Sequence, residues 1–328
     1  MITRKARQLI LPMSTQDDFP LLRLPLLARE HVLRMMTPFE LIDLSMTSSR
    51  VKRSVIFFSR IEPRFRVSLK FWFDPEIIIE GHREKWRYSW TSDRYWACPR
   101  TRYKFSDNQL VNCMNWYESM KRVIGCRIVS LQALRMDKLI TDWLLSQQNS
   151  IENVNILDCC LKDVKYFLET IRVTGILDLE VNFRDRDCLF ELPDGPYILL
   201  IKHSAFYIRY EELIRMKSPR IILRGSCLTN QDINQFLKSW MSMESHLNLE
   251  FFGINVSGPE AVNEIMNLPH EVTTDPNILT KFNNHPFYAN VTRGFKIKRS
   301  DGKIATVCVE YKEIFGLPSV DSSCLIGL

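Results

Sequence analysis

The feature that most constrains this chain is a repeat. From Gly125 onward, short apolar runs return at Arg127–Leu131, Asn153–Leu157, Leu177–Val181, Tyr197–Ile201, Arg220–Leu223 and Leu247–Phe251. Their centres lie about 20 to 27 residues apart, the period of leucine-rich-type repeats. Most spacers carry helical spacing, as in Asp137–Leu145, Lys162–Glu169 and Thr229–Trp240. Thr229, with Asp232 in the first turn, comes close to a capping box. A strand–helix unit of this length buries its apolar face on its neighbours. Each crossover carries a helix, so the strands are expected to run parallel. The consensus asparagine of a true leucine-rich repeat is mostly absent. The expectation is an α+β chain with an irregular leucine-rich-like curved array over residues 126–315. An ordinary α/β domain is the alternative.

Ahead of the array, residues 61–125 read as hairpins followed by a helix. Polar and apolar residues alternate in Arg66–Phe71, Glu76–Glu80 and Lys85–Trp90, with turns at Asp74-Pro75 and Gly81-His82. A small antiparallel sheet is expected, its cations in solvent and Trp72, Trp86 and Trp90 packed. Residues 106–125 have helical spacing, with Ser106 as a cap and Gly125 as the stop. Near the other end, Asp301-Gly302 between two alternating runs predicts a hairpin. Residues 1–18 read as a flexible leader and 316–328 as a frayed tail.

Residues 19–60 differ from both. Leu24-Pro25 precedes apolar positions at Leu27, Val32, Leu33, Met36, Leu41, Ile42 and Leu44. Pro25 suits a first helical turn. Thr37 can cap a second helix with Pro38 at its first position and Glu40 in its first turn. Two or three short helices of this size cannot bury all these side chains among themselves. Such a set is expected to dock on another apolar surface. The order Leu24-Pro25, Val32, Met36, Pro38, Leu41 and Leu44 resembles an F-box. The wording FPLLRLPLL and TPFELIDLSMTSSRVKRS resembles nematode F-box proteins with an F-box-associated C-terminal domain. The tryptophan common near the end of an F-box is absent, and Ser48–Arg53 stand in its place. Residues 197–315 resemble the F-box-associated domain through Tyr210–Leu213, Leu228–Asn234, Phe236–Lys238 with Trp240, and Phe295–Lys303.

The resemblance implies a substrate-receptor subunit of a Skp-cullin-F-box ubiquitin ligase. It implies that Leu24, Pro25, Val32, Leu33, Met36, Pro38, Leu41 and Leu44 press into a Skp-type adaptor, with the cullin reached through the adaptor. The C-terminal region would hold an unknown target protein. It implies no enzymatic activity of the chain itself, no cofactor, and residence in the cytoplasm or nucleus.

Composition narrows the rest. The net charge of +6 is local, because residues 50–104 hold 14 Lys and Arg against 6 Asp and Glu. The alternative function is therefore a basic nucleic-acid-binding adaptor acting through residues 60–104, by phosphate contact and stacking. Against it, packed aromatics and solvated cations suffice, and no nucleic-acid motif is present. The longest apolar runs, such as Ile198–Ile201, fall far short of a membrane span, and the first residues lack the apolar core of a signal peptide. Nine cysteines show no CxxC or zinc spacing, so reduced, buried thiols are expected. Asn255-Val-Ser and Asn290-Val-Thr are read as chance sequons. There is no phosphate loop, nucleophile elbow or HExxH. His31, His82, His203, His246, His270 and His285 are scattered, and neither Cys159-Cys160 nor Cys188 beside Asp185 and Asp187 has a base in view.

Overall fold

The computed structural model describes residues 21–91, 100–158, 160–180, 192, 194–202, 205–258, 260–283, 291–310, 313–314, 317–318 and 323–327. The leader 1–18 lies outside them. The chain forms two units, one of residues up to 63 with 122–125, the other of 64–121 with 126 onward.

In the first unit, a single 3-10 turn at Leu21–Arg23 leads into α1 (Leu26–Met35), α2 (Pro38–Thr47) and α3 (Ser49–Ile61). Pro25 stands at the N-cap of α1. The joint into α2 is a full capping box. Thr37 Oγ1 accepts from the Glu40 N–H at 3.2 Å, and the Glu40 carboxylate accepts from the Thr37 N–H at 2.7 Å. Ser48 Oγ caps α3 by accepting from the Val51 N–H at 3.2 Å. Arg34 pairs with Glu62 at 2.6 Å, and Arg29 Nη1 donates to Ser54 Oγ at 3.4 Å, so α1 is tied to α3 along its length.

The second unit is built on one sheet. It opens with β1 (Arg66–Phe71), β2 (Glu76–Glu80), β3 (Lys85–Trp90) and β4 (Thr101–Lys104), then α4 (Gln109–Ile124), most of which belongs to this unit. Strands and helices then follow in the order β5 (Arg127–Ala133), α5 (Lys138–Gln147), β6 (Ser150–Leu157), α6 (Leu161–Thr170), β7 (Arg172–Glu180), β8 (Ile198–Ile201), α7 (Tyr210–Arg215), β9 (Arg220–Leu223), α8 (Asn230–Met241) and β10 (Phe251–Asn255). The chain closes with α9 (Ala261–Ile265), β11 (Glu271–Thr273), α10 (Pro276–Asn283), β12 (Gly294–Lys298), β13 (Ile304–Glu310), the small pair β14 (Glu313–Ile314) and β15 (Leu317–Pro318), and β16 (Ser323–Gly327). Among the described residues the sheet has 14 strands, in the order β11-β12-β13-β16-β10-β9-β8-β7-β6-β5-β1-β2-β3-β4. The run β5 to β10 is parallel throughout, and the connections β5–β6, β6–β7, β8–β9 and β9–β10 carry the helices that parallel pairing calls for.

Register explains the core. Leu69, Leu131, Val154, Leu177, Leu199, Ile221 and Phe252 lie side by side on one face and are all fully buried. The opposite face changes along its length. Lys70, Gln132, Asn155 and Asp178 form a polar row, which continues as Leu200, Ile222, Gly253 and Leu325. Over the apolar end, Leu279 and Phe282 of α10 pack with Ile222, Phe251, Cys308 and Leu325. At the polar end, Asp178 Oδ2 accepts from Asn155 Nδ2 at 2.8 Å and from Lys202 Nζ at 2.7 Å, as partly buried polar groups must.

One ladder carries an irregularity with a measurable consequence. The β6–β7 register shifts between Ile151 and Asn153, and Asn153 Oδ1 accepts from the Ile176 N–H at 3.2 Å. A Cβ on Gly175 would lie 2.7 Å from the Glu152 carbonyl oxygen and 2.9 Å from Asn153 Oδ1. Backbone cannot yield cheaply, so Gly175→Ala is expected to cost about 1–3 kcal/mol. The reading is a lower urea midpoint at unchanged slope; an unmoved midpoint would mean that the bulge simply opens.

The structure corrects four sequence expectations. First, no boundary falls at residue 125/126 in the sheet, because β1 pairs in parallel with β5; pairing so distant in sequence leaves no local signal. Second, residues 323–327 of the expected tail are not frayed. β16 lies between β10 and β13, and its residues 323–326 are buried. Third, Trp72 does not pack inward but is 42% exposed; Trp90 is buried and Trp86 half-buried. Fourth, α4 is capped by Asn108, whose Oδ1 accepts from the Val111 N–H at 3.3 Å, while Ser106 Oγ accepts from the Asn108 N–H one step earlier.

Candidate docking surface

The short N-terminal helices leave apolar side chains in solvent. The seven large hydrophobic residues most exposed among the described residues are Phe73 (83%), Leu27 (80%), Met35 (68%), Met46 (64%), Val272 (63%), Ile61 (63%) and Phe57 (59%). Five of the seven belong to α1–α3. Leu22 and Leu26 beside them are exposed too.

The eight residues singled out from sequence divide by environment. Pro25 is exposed. Leu24, Val32, Met36 and Leu44 are half-buried, and Leu33, Pro38 and Leu41 are buried. Sequence reasoning thus mixed residues that hold the helices in place with residues that face outward. It missed Leu26, Met35, Met46, Phe57 and Ile61. Met35 lies eight residues after Leu27, on the same outer side of α1, and that spacing was a usable signal.

In the second unit a cleft of about 870 Å³ opens among the ends of α6, α7 and α8. Leu168, Met216 and Leu249 form apolar wall, and Glu169, Glu212, Arg215 and Glu244 stand in the lining. His246 is the unusual member. Its ring meets Phe236 edge-on at 4.9 Å, and neither ring nitrogen is in hydrogen-bond geometry with a partner. Burial pushes its pKa down to about 4, with the backbone at Leu213 opposing the shift, so the imidazole is neutral at pH 7. Among the described residues no carboxylate orients this ring, unlike the base of a nucleophilic triad.

The loop that carries His246 is braced from the far hairpin. Arg299 Nη1 donates to the Leu247 carbonyl at 3.0 Å, Arg299 lies over the Trp240 ring at 5.2 Å, and the Ser300 N–H donates to the Met241 carbonyl at 2.9 Å. Asp301 holds that arginine by two bonds, from Nε at 3.0 Å and from Nη2 at 2.6 Å. Gly302, at φ 92°, makes the turn possible. The Arg299 guanidinium, with the Lys303 N–H, holds the Asp301 carboxyl down to about 2. A depressed carboxyl contributes stability above its ordinary value of 3.8, lost as pH falls toward 2. Asp301→Ala is expected to lower the melting temperature at pH 7 and to close the gap to the parent chain as pH falls from about 4 to 2. A gap independent of pH would remove the ion pair as its cause.

Residues 197–254 match the F-box associated family. The segment runs from Tyr197, ahead of β8, to Ile254 in β10. It therefore contains α7, α8, His246 and most of the cleft lining. It starts where the sequence resemblance placed it and ends before the β12–β13 hairpin; residues 19–60 lie outside it. No curated protein and no solved structure matches the chain.

Other candidate chemistry finds little support around the F-box associated segment. Burial pushes the thiols of Cys126 and Cys308 up to about 12, and the exposed Cys160 thiol donates to Asp163 at 2.8 Å, which also raises it. Such thiols are protonated and weakly nucleophilic at pH 7. Among the described residues no group of three His, Cys, Asp or Glu could hold a metal ion, and no helix is long and apolar enough to cross a membrane. Cys159, Cys188, His203 and His285 lie outside the described residues. In the basic stretch, Lys70 and Arg87 both face Glu76, Lys85 pairs with Glu80, and Arg100 pairs with Glu84. Phosphate contacts there would have to displace carboxylates already in place.

Proposed function

We propose that the chain is a substrate-receptor subunit of a Skp-cullin-F-box ubiquitin ligase. The observation that carries this reading is the gathering of strongly exposed Leu27, Met35, Met46, Phe57 and Ile61 on three short helices. An unshielded apolar set of this kind calls for a second polypeptide. The F-box associated match at residues 197–254 supports the choice of partner. In this reading α1–α3 are an F-box. Pro25, Leu26, Leu27 and Met35 meet the Skp-type adaptor, helped by the half-buried Leu24, Val32, Met36 and Leu44. Leu33, Pro38 and Leu41 act from inside, fixing the helices that present the others. The cullin is reached through the adaptor, and the second unit holds the target protein. The chain does no bond chemistry. It raises the effective concentration of target lysines beside the ligase. The carboxylate partners of Lys70, Arg87, Lys85 and Arg100 weigh against the nucleic-acid alternative.

Affinity purification of the tagged chain followed by mass spectrometry tests the reading. Adaptor, cullin and at least one further protein are expected to be enriched over a mock purification. Enrichment of neither ligase subunit would refute it.

A further inference from the structure

A pocket of about 500 Å³ opens where β3 and β4 end beside α4. It lies within the second unit and shares no residue with the His246 cleft. Four of its nine lining residues are aromatic: Trp90, Tyr103, Phe105 and Trp116. Phe105 is 53% exposed. Among the described residues the lining holds one charge, that of Lys104, and no Asp or Glu.

Strand register and ring chemistry place that charge. β3 and β4 run parallel with Trp90 opposite Lys104, so both side chains leave the sheet on one face. Tyr88 shares that face, and its ring meets Trp116 of α4 edge-on at 5.3 Å. The Lys104 ammonium stands 3.5 Å from the centre of the Trp116 ring and 5.7 Å from that of Tyr88. Among the described residues the next closest cation to a ring centre is at 4.9 Å. A ring face attracts a cation without cancelling its charge, and an ammonium carries three donors. Lys104 is therefore held at the pocket wall in a form suited to an anion. Trp116 adds a second donor. Its indole N–H is shielded from solvent and has no acceptor among the described residues, where buried polar groups are ordinarily paired. Asn115 and Ser119 of α4 are exposed and give the pocket a polar rim.

We propose that this pocket binds a small planar aromatic acid, a carboxylate or a phosphate monoester, with its ring against Phe105 and its anion on the Lys104 ammonium. Aromatic walls with a few converging polar groups suit such a ligand, and ring-to-ring contact adds to burial. Lys104 disfavours a cationic ligand, and a bare inorganic anion would leave the aromatic walls unused. The pocket is independent of the adaptor reading, because it lies in the second unit and takes a small molecule.

The test is saturation-transfer NMR on the full chain with 2-naphthoate and phenyl phosphate. Neutral 2-naphthol, inorganic phosphate and a short single-stranded RNA are the comparisons. Both acids are expected to saturate the chain with a dissociation constant of about 1 mM or tighter. Lys104→Gln should weaken both acids about tenfold and leave 2-naphthol unmoved. Phe105→Ala should weaken the acids and 2-naphthol alike, by about fivefold. Phe105 is exposed, so that variant should melt with the parent and decides the matter if Lys104→Gln disturbs the fold. Failure of either acid to saturate the chain at about 10 mM overturns the proposal, as does binding that neither variant weakens. Equal parent affinity for 2-naphthol and 2-naphthoate, or for inorganic phosphate and phenyl phosphate, removes the ligand class and overturns it too. RNA that binds more tightly than either acid, and loses that advantage in Lys104→Gln, makes the site a nucleic-acid contact and likewise overturns it. Every one of these results leaves the adaptor reading to its own test, copurification.

Discussion

Aspartate at both Leu26 and Leu27 is expected to abolish capture of the Skp-type adaptor. Both side chains project into solvent from the first turn of α1, and Leu27 is among the most exposed apolar residues described. In a docked complex they would be desolvated, and a carboxylate buried there without a partner is strongly unfavourable. A loss of at least a hundredfold, about 3 kcal/mol, follows if they act as central anchors. The same change should leave stability within about 0.5 kcal/mol, because surface substitutions touch no core. The contrast with a buried neighbour is informative. Leu33→Asp should also prevent capture, but by unfolding the helices, and its melting curve would reveal that. Retained capture by the Leu26→Asp/Leu27→Asp chain would move the docking face elsewhere.

The second large effect is a pH dependence centred on His246. The half-buried His246 ring meets Phe236 edge-on, with neither nitrogen in good hydrogen-bond geometry, and burial lowers its pKa from 6.5 to about 4 against the opposing Leu213 backbone. In the unfolded chain the ring takes up a proton near pH 6.5, while the folded chain refuses it until about pH 4. Stability attributable to the neutral ring is therefore complete above pH 6.5 and is lost as pH falls through that window. The size is about 3 kcal/mol. Urea unfolding at intervals from pH 7.5 to 4 measures it. Carboxylates and other histidines also titrate there, so the comparison is with His246→Phe, which fills similar space and cannot protonate. The variant should show a slope flatter by one proton between pH 4 and 6.5. Parallel slopes in the two chains would show that the ring reaches water in the folded state. Because His246 sits in the F-box associated segment, the same window bears on the cleft.

Much of the parallel array could be read from the residues, for a physical reason. Arg220–Leu223 is apolar, β-branched and short, and it became β9 over those same residues. Asp137 and Thr229 stand before helical spacing, and both cap their helices through side-chain oxygens. Local chemistry decides such features. Leu247–Phe251 shows where it misleads. Its alternation reads as a strand, yet Leu247–Glu250 precede β10, because His246 turns at φ 52° and pairing with β9 begins only at Phe251. The remaining differences are long-range. Nothing near Arg66 announces Arg127 as its neighbour, and nothing near Cys324 announces that β16 slots between β10 and β13. The exposed apolar set on α1–α3 was legible as a region but not residue by residue. The spacing of Leu33, Leu41 and Leu44 marks apolar positions on short helices, but not which of them turn inward. Phe57 and Ile61 were hidden because Val55, Ile56, Phe57, Phe58 and Ile61 are all apolar, and composition alone does not say which of them face inward. The bracing of the His246 loop by Arg299 joins segments 52 residues apart, and only a folded chain displays it.

The account rests on α1–α3 being covered by a second polypeptide, and the most direct measurement is the affinity of the purified full chain for a purified Skp-type adaptor. Saturable one-to-one binding in the micromolar range or tighter, accompanied by a negative heat-capacity change from apolar burial, is the expected result. Absence of any heat or complex at hundred-micromolar concentrations, with the chain shown to be folded, would contradict it.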